Sequence, residues 1–309
     1  MIHFLHNKVY YGYILCGGTE MKNVYDIIII GMGPAGVSAA LYAHRAGAEV
    51  LVIGGDSNAL SKAEKIDNYY GVKKGTTGAE LFSMGKEQLA DSNIDTMDGQ
   101  VVSIEWTGDY AVKTVENSYT AKSVVLATGT GRRTPNIKGL KEFEGRGVSW
   151  CAVCDGFFYR GKTVAVLGEG EYAAEEAEYL KNLAAKVYIL TNGKQPAKVI
   201  DGVEYIEKPL AEIKGEATVS TVEFADGSSI GTDGVFVAIG VAGAGEFARK
   251  LGAEINGNSI VTDNNCATNI PGLFAAGDNT GGMMQIAKAV YEGAVAGSES
   301  AKFIREMKG

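Results

Sequence analysis

Two stretches of the chain have the same order of apolar runs, glycine turn and alanine-rich segment. The first has an apolar run at residues 27–30, the glycine turn GMGPAG at 31–36, an alanine-rich stretch to about residue 46 and, at 49–53, a glutamate followed by four apolar residues. Short apolar runs on either side of an alanine-rich stretch predict a strand, a helix and a second strand. We therefore expect residues 25–55 to form a βαβ unit.

The glycines of the first turn suit a bound dinucleotide. Gly31 allows the chain to reverse tightly, Gly33 lets the backbone approach a pyrophosphate, and Gly36 lets the helix pack on the strand. The N-terminus of the following helix supplies amide donors and the positive end of a dipole. We expect the pyrophosphate to contact Gly31, Gly33, Pro34, Ala35 and Gly36.

The second stretch repeats the first without a gap, and Gly168 opens its turn 137 residues after Gly31. Its predicted strands are 164–167 and 186–190, and they are joined by the turn GEGEYA at 168–173 and a helix. The duplication predicts an α/β protein with two dinucleotide sites, one for a flavin and one for a nicotinamide.

The second turn is poorly suited to phosphate. Glu169 and Glu171 occupy turn positions that would face it, and a carboxylate about 5 Å from a phosphate costs on the order of 3 kcal/mol at an effective dielectric of about 20. Tyr172 adds bulk. Residues 191–193 supply neither an acid for a ribose 2′-hydroxyl nor an arginine pair for a 2′-phosphate. We expect the nicotinamide site to be lost; the alternative is that both glutamates point to solvent and a nicotinamide still binds.

A CxxC pair, Cys151 and Cys154, lies between the two units and is followed by Asp155. A CxxC that opens a helix has lowered thiol pKa values, and a neighbouring carboxylate can donate or accept the proton of thiol exchange. The pair therefore predicts reversible dithiol chemistry. Cys16 and Cys266 do not form a second CxxC, so we expect no structural zinc or other metal.

Composition narrows the class of protein. The chain has 309 residues, enough for about two domains, and its 42 glycines are about twice the usual share. A net charge of −8 predicts no nucleic-acid partner, and the lack of an apolar run of about 20 residues predicts no membrane span. The N-terminus is a poor signal peptide, so we expect a cytoplasmic protein. With three histidines in the chain, we expect no histidine-based triad.

The motifs together resemble the low-molecular-weight thioredoxin reductases, a family of two-domain flavoproteins, over about residues 22–305. The resemblance is carried by GMGPAG, by Ala127-Thr128-Gly129, by WCAVCDGFFYRGK at 150–162 and by GLFAAGD at 272–278. The last motif is highly specific for FAD enzymes of this kind.

The resemblance implies an architecture of two Rossmann-like three-layer nucleotide-binding domains, the second inserted into the first. Residues 22–135 and 265–309 would form a discontinuous FAD-binding domain, and residues 136–264 would form the inserted redox-disulfide domain. Residues 1–21 would be an N-terminal extension. Members of the family are commonly homodimers, so we expect a homodimer here.

The resemblance also assigns FAD contacts. Asp278 inherits the contact with the ribityl chain, Gln285 and Ile286 inherit the contact with the flavin ring, and Asn68 is similar to a flavin-neighbouring asparagine. The full set expected to contact FAD is Gly31, Gly33, Pro34, Ala35, Gly36, Asn68, Val101, Ala127, Thr128, Gly129, Gly277, Asp278, Gln285 and Ile286.

The reaction implied is a two-electron transfer from FAD to the Cys151–Cys154 disulfide, followed by reduction of thioredoxin by the dithiol. The resemblance places Cys154 nearest to the flavin, and which thiol attacks the partner stays open. Phe157, Phe158 and Arg146 match the surface that the family presents to its protein substrate. Burial of the two phenylalanines is the alternative.

The chain departs from the family where NADPH would bind. The lost signature is similar to that of the ferredoxin-dependent flavin thioredoxin reductases of anaerobic bacteria, so we expect reduced ferredoxin, or flavodoxin, as the electron donor. Donors of this kind are acidic, and the basic side chains that could receive one are Arg132, Arg133, Lys138, Lys141 and Arg146. The alternatives are a conventional NADPH or NADH thioredoxin reductase, a small-molecule dithiol oxidase that uses oxygen, and a flavin-binding regulatory protein.

Overall fold

A computed structural model describes residues 22–55, 59–129, 135–240 and 243–308. The predicted N-terminal extension, and Arg132 and Arg133 of the basic stretch, lie outside these residues. The strands are β1 (Val24–Ile30), β2 (Val50–Gly54), β3 (Asp95–Asp98), β4 (Val101–Trp106), β5 (Tyr110–Thr114), β6 (Ser118–Leu126), β7 (Val148–Ser149), β8 (Thr163–Leu167), β9 (Lys186–Leu190), β10 (Glu204–Ile206), β11 (Leu210–Gly215), β12 (Val219–Phe224), β13 (Ser229–Gly231), β14 (Gly234–Val237), β15 (Ile255–Asn256), β16 (Ser259–Ile260) and β17 (Leu273–Ala275). The helices are α1 (Pro34–Arg45), α2 (Gly78–Asp91), α3 (Ala152–Asp155), α4 (Glu171–Lys181), α5 (Ala244–Lys250) and α6 (Ile286–Lys308).

The first sheet has the order β3-β2-β1-β6-β5-β4. Strand β6 pairs antiparallel with β5 along its first half and parallel with β17 along its last three residues. Strand β17 therefore brings the C-terminal part of the chain back into the sheet that the N-terminal part begins. The predicted βαβ unit is present, with β1 parallel to β2 and α1 between them.

Alternate residues of β1 pack on opposite faces of the first sheet, because successive strand side chains point in opposite directions. Ile27 and Ile29 join the core on the side of α1 and α6, whereas Ile28 and Ile30 join the core shared with α4 and α5. All four are 3% exposed or less. The continuous apolar run of the sequence is thus explained by a strand that is covered on both faces.

The second sheet repeats the design. Its order is β10-β9-β8-β14-β7, all of the pairs are parallel, and α4 lies between β8 and β9. Gly31 and Gly168 occupy equivalent turns: a Cβ on Gly31 would lie 2.2 Å from the carbonyl oxygen of Ala127, and one on Gly168 would lie 2.2 Å from that of Ala238. The predicted α/β class with two Rossmann-like units is confirmed.

The two units meet where α4 and α5 of the second pack against β4 of the first, and α3 contacts both α4 and α5. Helix α5 also contacts the hairpin β15–β16. A small antiparallel sheet, β11-β12-β13, completes the second half of the chain. The division into 22–135 with 265–309, and 136–264, stays a prediction.

Among the described residues, no helix combines the length and the apolar character needed to cross a lipid bilayer.

Candidate active site

Cys151 and Cys154 are joined in a disulfide with their Cα atoms 5.3 Å apart. Helix α3 begins directly after Cys151, as the CxxC pattern predicts, and the backbone N–H of Cys154 donates to Cys151 Sγ at 3.1 Å. Cys151 is buried, with 3% of its surface exposed, whereas Cys154 is exposed. The two sulfurs therefore differ in access, and the contact of Cys154 with a flavin stays a prediction.

Ser149 fixes Asp155 beside the disulfide. The Ser149 hydroxyl donates to Asp155 Oδ2 at 2.7 Å and accepts from the backbone N–H of Cys151 at 3.1 Å. One hydroxyl thereby joins Asp155 to the backbone N–H of Cys151 and holds the carboxylate next to the CxxC pair, where a group that exchanges a proton with a thiol has to be. Sequence reasoning named Asp155 and missed Ser149, which carries no motif of its own.

Glu176 is a second residue that the sequence did not single out. It is 2% exposed, and its carboxylate accepts from the N–H of Ala152, the residue that follows Cys151, at 2.8 Å. Its other oxygen forms an ion pair with Lys250. A buried carboxylate in direct contact with the CxxC helix is part of the site.

The first glycine turn has room for a phosphate. Gly31 has φ +114°, which only glycine adopts easily, and no described heavy atom lies within 4 Å of a Cβ placed on Gly33. Helix α1 starts at Pro34, so the amides of Ala35 and Gly36 open its first turn. This open cradle at a helix N-terminus fits the pyrophosphate of a dinucleotide.

The C-terminal motif lies against the same helix. A Cβ placed on Gly277 would be 3.0 Å from Ala35 Cβ, so Asp278 is brought next to the first turn although it is far away in sequence. Burial raises the pKa of Asp278. Asn279 Oδ1 is buried and has no hydrogen-bond partner among the described residues, which leaves an acceptor for a ligand's hydroxyl or amide.

A polar network that the sequence did not predict supports Gly277. Glu292 accepts from Gly277 N at 2.8 Å, and Lys288 Nζ donates to Gly277 O at 2.9 Å and to Glu292 at 2.8 Å. Lys288 lies in the first turn of α6 and Glu292 in the second, so the helix holds the motif in place.

The structure brings further predicted residues together in pairs. Asn68 Nδ2 donates to Gln285 Oε1 at 2.8 Å, directly before Ile286 opens α6. Thr128 Oγ1 accepts from the N–H of Ala244 at 2.9 Å, at the start of α5.

Three further residues of the predicted FAD-contacting set can be located in the fold. Ala127 supplies the carbonyl that Gly31 approaches, Gly129 has φ +75°, and Val101 is a buried residue that begins β4. The direct contact of each residue in the set with FAD stays a prediction.

In the second glycine turn, Glu169 takes part in an ion pair. Lys194 Nζ pairs with Glu169, and the N–H of Ala197 donates to the backbone oxygen of Glu169 at 2.8 Å. Glu171 is the first residue of α4. The expectation that Tyr172 adds bulk to the turn was wrong: its side chain is fully buried in the core beneath α4, because the helix turns this position inward.

Next to the disulfide, Phe157 and Phe158 are 66% and 69% exposed, so the alternative of burial was wrong. Their rings meet edge to face with centroids 6.4 Å apart, and the Arg160 guanidinium lies 5.5 Å from the Phe157 ring. Apolar rings kept in water next to a reactive pair are typical of a surface that receives a protein. The role of Arg146 there stays a prediction.

Two residues of the basic stretch have partners at the surface, and Arg146 keeps its charge because its partner is a neutral carbonyl. Lys138 is paired with Glu212 at 2.9 Å, and an Arg146 guanidinium nitrogen donates to the backbone oxygen of Glu142. Among the described residues no cluster of His, Cys, Asp and Glu suits a metal ion.

Three comparisons place the chain among known proteins. A family model described as pyridine nucleotide-disulphide oxidoreductase matches residues 25–293. The chain is 35% identical to a thioredoxin reductase of Aquifex aeolicus, over 84% of this chain and 86% of the relative.

Two solved structures are similar over the whole fold. An atypical thioredoxin reductase from Desulfovibrio vulgaris Hildenborough is 38% identical, with a TM-score of 0.85 over 91% of this chain and 98% of the other. A ferredoxin-flavin thioredoxin reductase from Clostridium acetobutylicum is 35% identical, with a TM-score of 0.68 over 93% of this chain and 99% of the other.

Proposed function

Because the chain belongs to the pyridine nucleotide-disulphide oxidoreductase family, and within it to the low-molecular-weight thioredoxin reductases, we propose that it reduces thioredoxin with electrons from reduced ferredoxin rather than from a nicotinamide dinucleotide. The protein is an FAD-dependent oxidoreductase. Flavin chemistry suits this reaction, since a bound FAD can accept single electrons and release them as a pair.

The residues around the first glycine turn would hold the FAD. The amides of Ala35 and Gly36 point from the start of α1 toward the open space at Gly33, where the pyrophosphate fits. Asp278 and the unpaired acceptor of Asn279 lie on the same side, because Gly277 packs against α1. These residues bind and orient the cofactor and supply no chemistry themselves.

One observation supports the choice of donor: the second turn carries Glu169, which forms an ion pair with Lys194. A nicotinamide dinucleotide would have to displace Lys194 from Glu169 and then place its own phosphates next to the freed carboxylate. At about 5 Å and an effective dielectric of about 20, that repulsion is on the order of 3 kcal/mol, roughly a hundredfold in affinity.

Glu171 adds a second obstacle. It is the first residue of α4, where its carboxylate already interacts favourably with the helix N-terminus that a phosphate would use. The equivalent residue of α1 is Pro34, which brings no charge. The two turns have the same backbone shape, but only the first favours an anion.

At the dithiol end, the chain's own groups perform the exchange. A thiolate of the reduced pair attacks the disulfide of thioredoxin, a mixed disulfide forms, and the second thiol resolves it, so that thioredoxin leaves as a dithiol and Cys151–Cys154 is oxidised again. Asp155, held by Ser149, exchanges the proton with the attacking or leaving sulfur. Phe157 and Phe158 offer the apolar contact area for the partner.

The test is turnover of thioredoxin with each donor in turn under anaerobic conditions. The purified flavoprotein is given thioredoxin and either photoreduced ferredoxin, NADPH or NADH, and thiols formed on thioredoxin are counted by alkylation. We expect sustained reduction with ferredoxin and background rates with both nucleotides. Turnover with either nucleotide at a rate matching ferredoxin would refute the choice of donor.

Cys154→Ser and Cys151→Ser are the matched controls. Each variant should lose thioredoxin reduction, because the dithiol cannot form, while its flavin is still reduced by ferredoxin. Thioredoxin reduction that survives in both variants would mean that the electrons bypass the CxxC pair.

A further inference from the structure

A buried ion pair joins α4 to α5 directly behind the redox disulfide. Glu176 of α4 and Lys250 of α5 form it, and their side chains are only 3% and 9% exposed. Buried charges are uncommon because both must be taken out of water, so a buried pair needs a reason to be there. The described contacts supply one.

Glu176 uses its two carboxylate oxygens on two different partners. Oε2 accepts from the backbone N–H of Ala152 at 2.8 Å, and Oε1 pairs with Lys250. Ala152 is the first residue of α3, lies between the two cysteines and is fully buried. The carboxylate therefore fixes the start of the single helical turn that carries Cys154.

Lys250 reaches the same junction from the other side. Its ammonium lies 5.0 Å from the centre of the Tyr172 ring, and Cys154 Sγ lies 3.9 Å from the backbone oxygen of Arg249, the preceding residue. The disulfide and both charges thus lie at one junction of α3, α4 and α5, with Cys151 and the two charges buried and Cys154 on the exposed side. At this depth a single uncompensated charge acts strongly on a neighbouring thiol.

Three other charged groups near α3 have partners of their own, and Asp155 among them lies directly after Cys154. Asp155 accepts from Ser149, Glu246 accepts from the N–H of Gly243, and Arg249 donates to the backbone oxygen of Gly257. The tyrosines that pack here, on α4 and on the turn after α3, are Tyr172, Tyr179 and Tyr159. Among the described contacts, Glu176 is the charged group that binds the start of α3, and Lys250 is its charged partner.

We propose that Glu176 and Lys250 are a positioning pair for the redox cysteines: Glu176 fixes the first N–H of the CxxC helix, and Lys250 cancels the charge that this carboxylate places beside the thiolate. The inference rests on the proposed dithiol chemistry of Cys151 and Cys154. Two-electron reduction breaks the S–S bond and, with one proton taken up, leaves one thiol and one thiolate. In turnover the electrons come from the flavin.

The test measures the thiols without any biological electron donor. The holoenzyme, in a Cys16→Ser background, is reduced with a phosphine that is itself oxidised to its phosphine oxide, and is then alkylated with iodoacetamide from pH 5 to pH 10. Mass spectrometry of the tryptic peptide 147–160 gives the alkylation rate of each cysteine. Failure of the ferredoxin proposal would leave this assay unaffected.

Glu176→Gln and Lys250→Met should move the thiols in opposite directions. Glu176→Gln leaves the ammonium uncompensated behind the start of α3, so the thiol pKa falls and alkylation at pH 7 rises at least about threefold. Lys250→Met leaves the carboxylate alone, so the thiol pKa rises and alkylation falls by a similar factor. The double variant, which is neutral again, should return to within about twofold of the parent.

A merely structural role gives a different result, because loosening α3 would change both variants in the same direction. Shifts of equal sign, or none in either variant, would overturn the proposal. Lys113→Met is the control: Lys113 also pairs with a glutamate, Glu105, at 2.7 Å, but both side chains are about half exposed, and its rates should match the parent. Alkylation of buried Cys266 reports whether Lys250→Met folds. If that variant does not fold, Lys250→Gln is used in its place, with the same expected result.

Discussion

At the scale of single residues, several positions accept only glycine, because a backbone atom lies where the Cβ of any other residue would be. Gly31 is the clearest case. Its φ is +114°, and a Cβ added to it would lie 2.2 Å from the carbonyl oxygen of Ala127. The same residue lines the phosphate cradle. Packing and binding therefore depend on the same missing side chain.

Gly31→Ala should abolish FAD binding and lower the free energy of unfolding by more than about 2 kcal/mol, because the methyl group overlaps the Ala127 backbone. Gly47→Ala is the control: it also has a positive φ, +89°, but no described atom lies within 4 Å of its Cβ, so only a conformational cost of about 1 kcal/mol is expected. Flavin absorbance per protein and thermal unfolding measure both effects. A Gly31→Ala protein that binds a full complement of FAD would contradict this description of the cradle.

Cys266 should be inert in the native protein. Burial raises its pKa to about 12 from an ordinary value of 9.0, so at pH 8 its thiolate is about a thousandfold rarer than in the unfolded chain. Because folding favours the neutral thiol, this contribution to stability is lost as the pH rises from 9 through 12. Alkylation of the Cys16→Ser protein at pH 8, with and without urea, checks this; native Cys266 reacting as fast as in urea would disprove it.

The sequence predicted the residues that form local motifs and missed those that act across long separations. The glycine turns, the CxxC pair and Asp155 follow from spacing alone. Glu176 meets Ala152 over 24 residues and Lys250 over 74, and no local pattern records such contacts. Tyr172 was misplaced for a related reason: turn position alone does not show that the helix points it into the core.

At the scale of elements, the close contact of α1 with α6 positions the FAD site. A Cβ on Gly293 or on Gly297 would lie 2.2 Å from the carbonyl oxygen of Ala35 or Ala39, respectively. The two helices therefore touch backbone to backbone. This contact carries Gln285, Lys288 and Glu292 into place beside the first turn.

Gly293→Ala should push α6 away from α1, lower stability by about 2 to 3 kcal/mol and weaken FAD binding, because the added methyl group has no space. Gly245→Ala in α5 is the matched control, since its Cβ would make only an ordinary contact with Arg249 at 3.9 Å; alanine there should be neutral or stabilising by up to about 1 kcal/mol. Chemical denaturation and flavin titration compare the two. Equal behaviour of both variants would argue against the close helix contact.

Both βαβ units were predictable because a fully buried parallel strand reads as a continuous apolar run. The antiparallel strands β4, β5 and β11 to β13 were not predicted. Their half-exposed residues alternate over only a few positions, as in the burial of β5, and such a short pattern is easily matched by a loop.

At the scale of the whole molecule, the chain builds one redox path from distant parts. The first sheet takes strands from both ends of the sequence, the CxxC pair lies in between, and α5 contacts both α3 and β4. The duplicated second unit keeps the backbone of a dinucleotide site while Glu169 pairs with Lys194 in its turn. The second unit thus shares the backbone design of the first but carries a charged pair in its turn.

Anaerobic stopped-flow reduction of the purified flavoprotein tests the central claim, the choice of donor, most directly. Flavin absorbance near 450 nm is followed after mixing with reduced ferredoxin, with NADPH or with NADH, at matched reducing equivalents. Ferredoxin should bleach the flavin rapidly, and neither nucleotide should do so even at millimolar concentration. Rapid bleaching by NADPH or NADH would show that the second turn still binds a nicotinamide dinucleotide and would contradict the account.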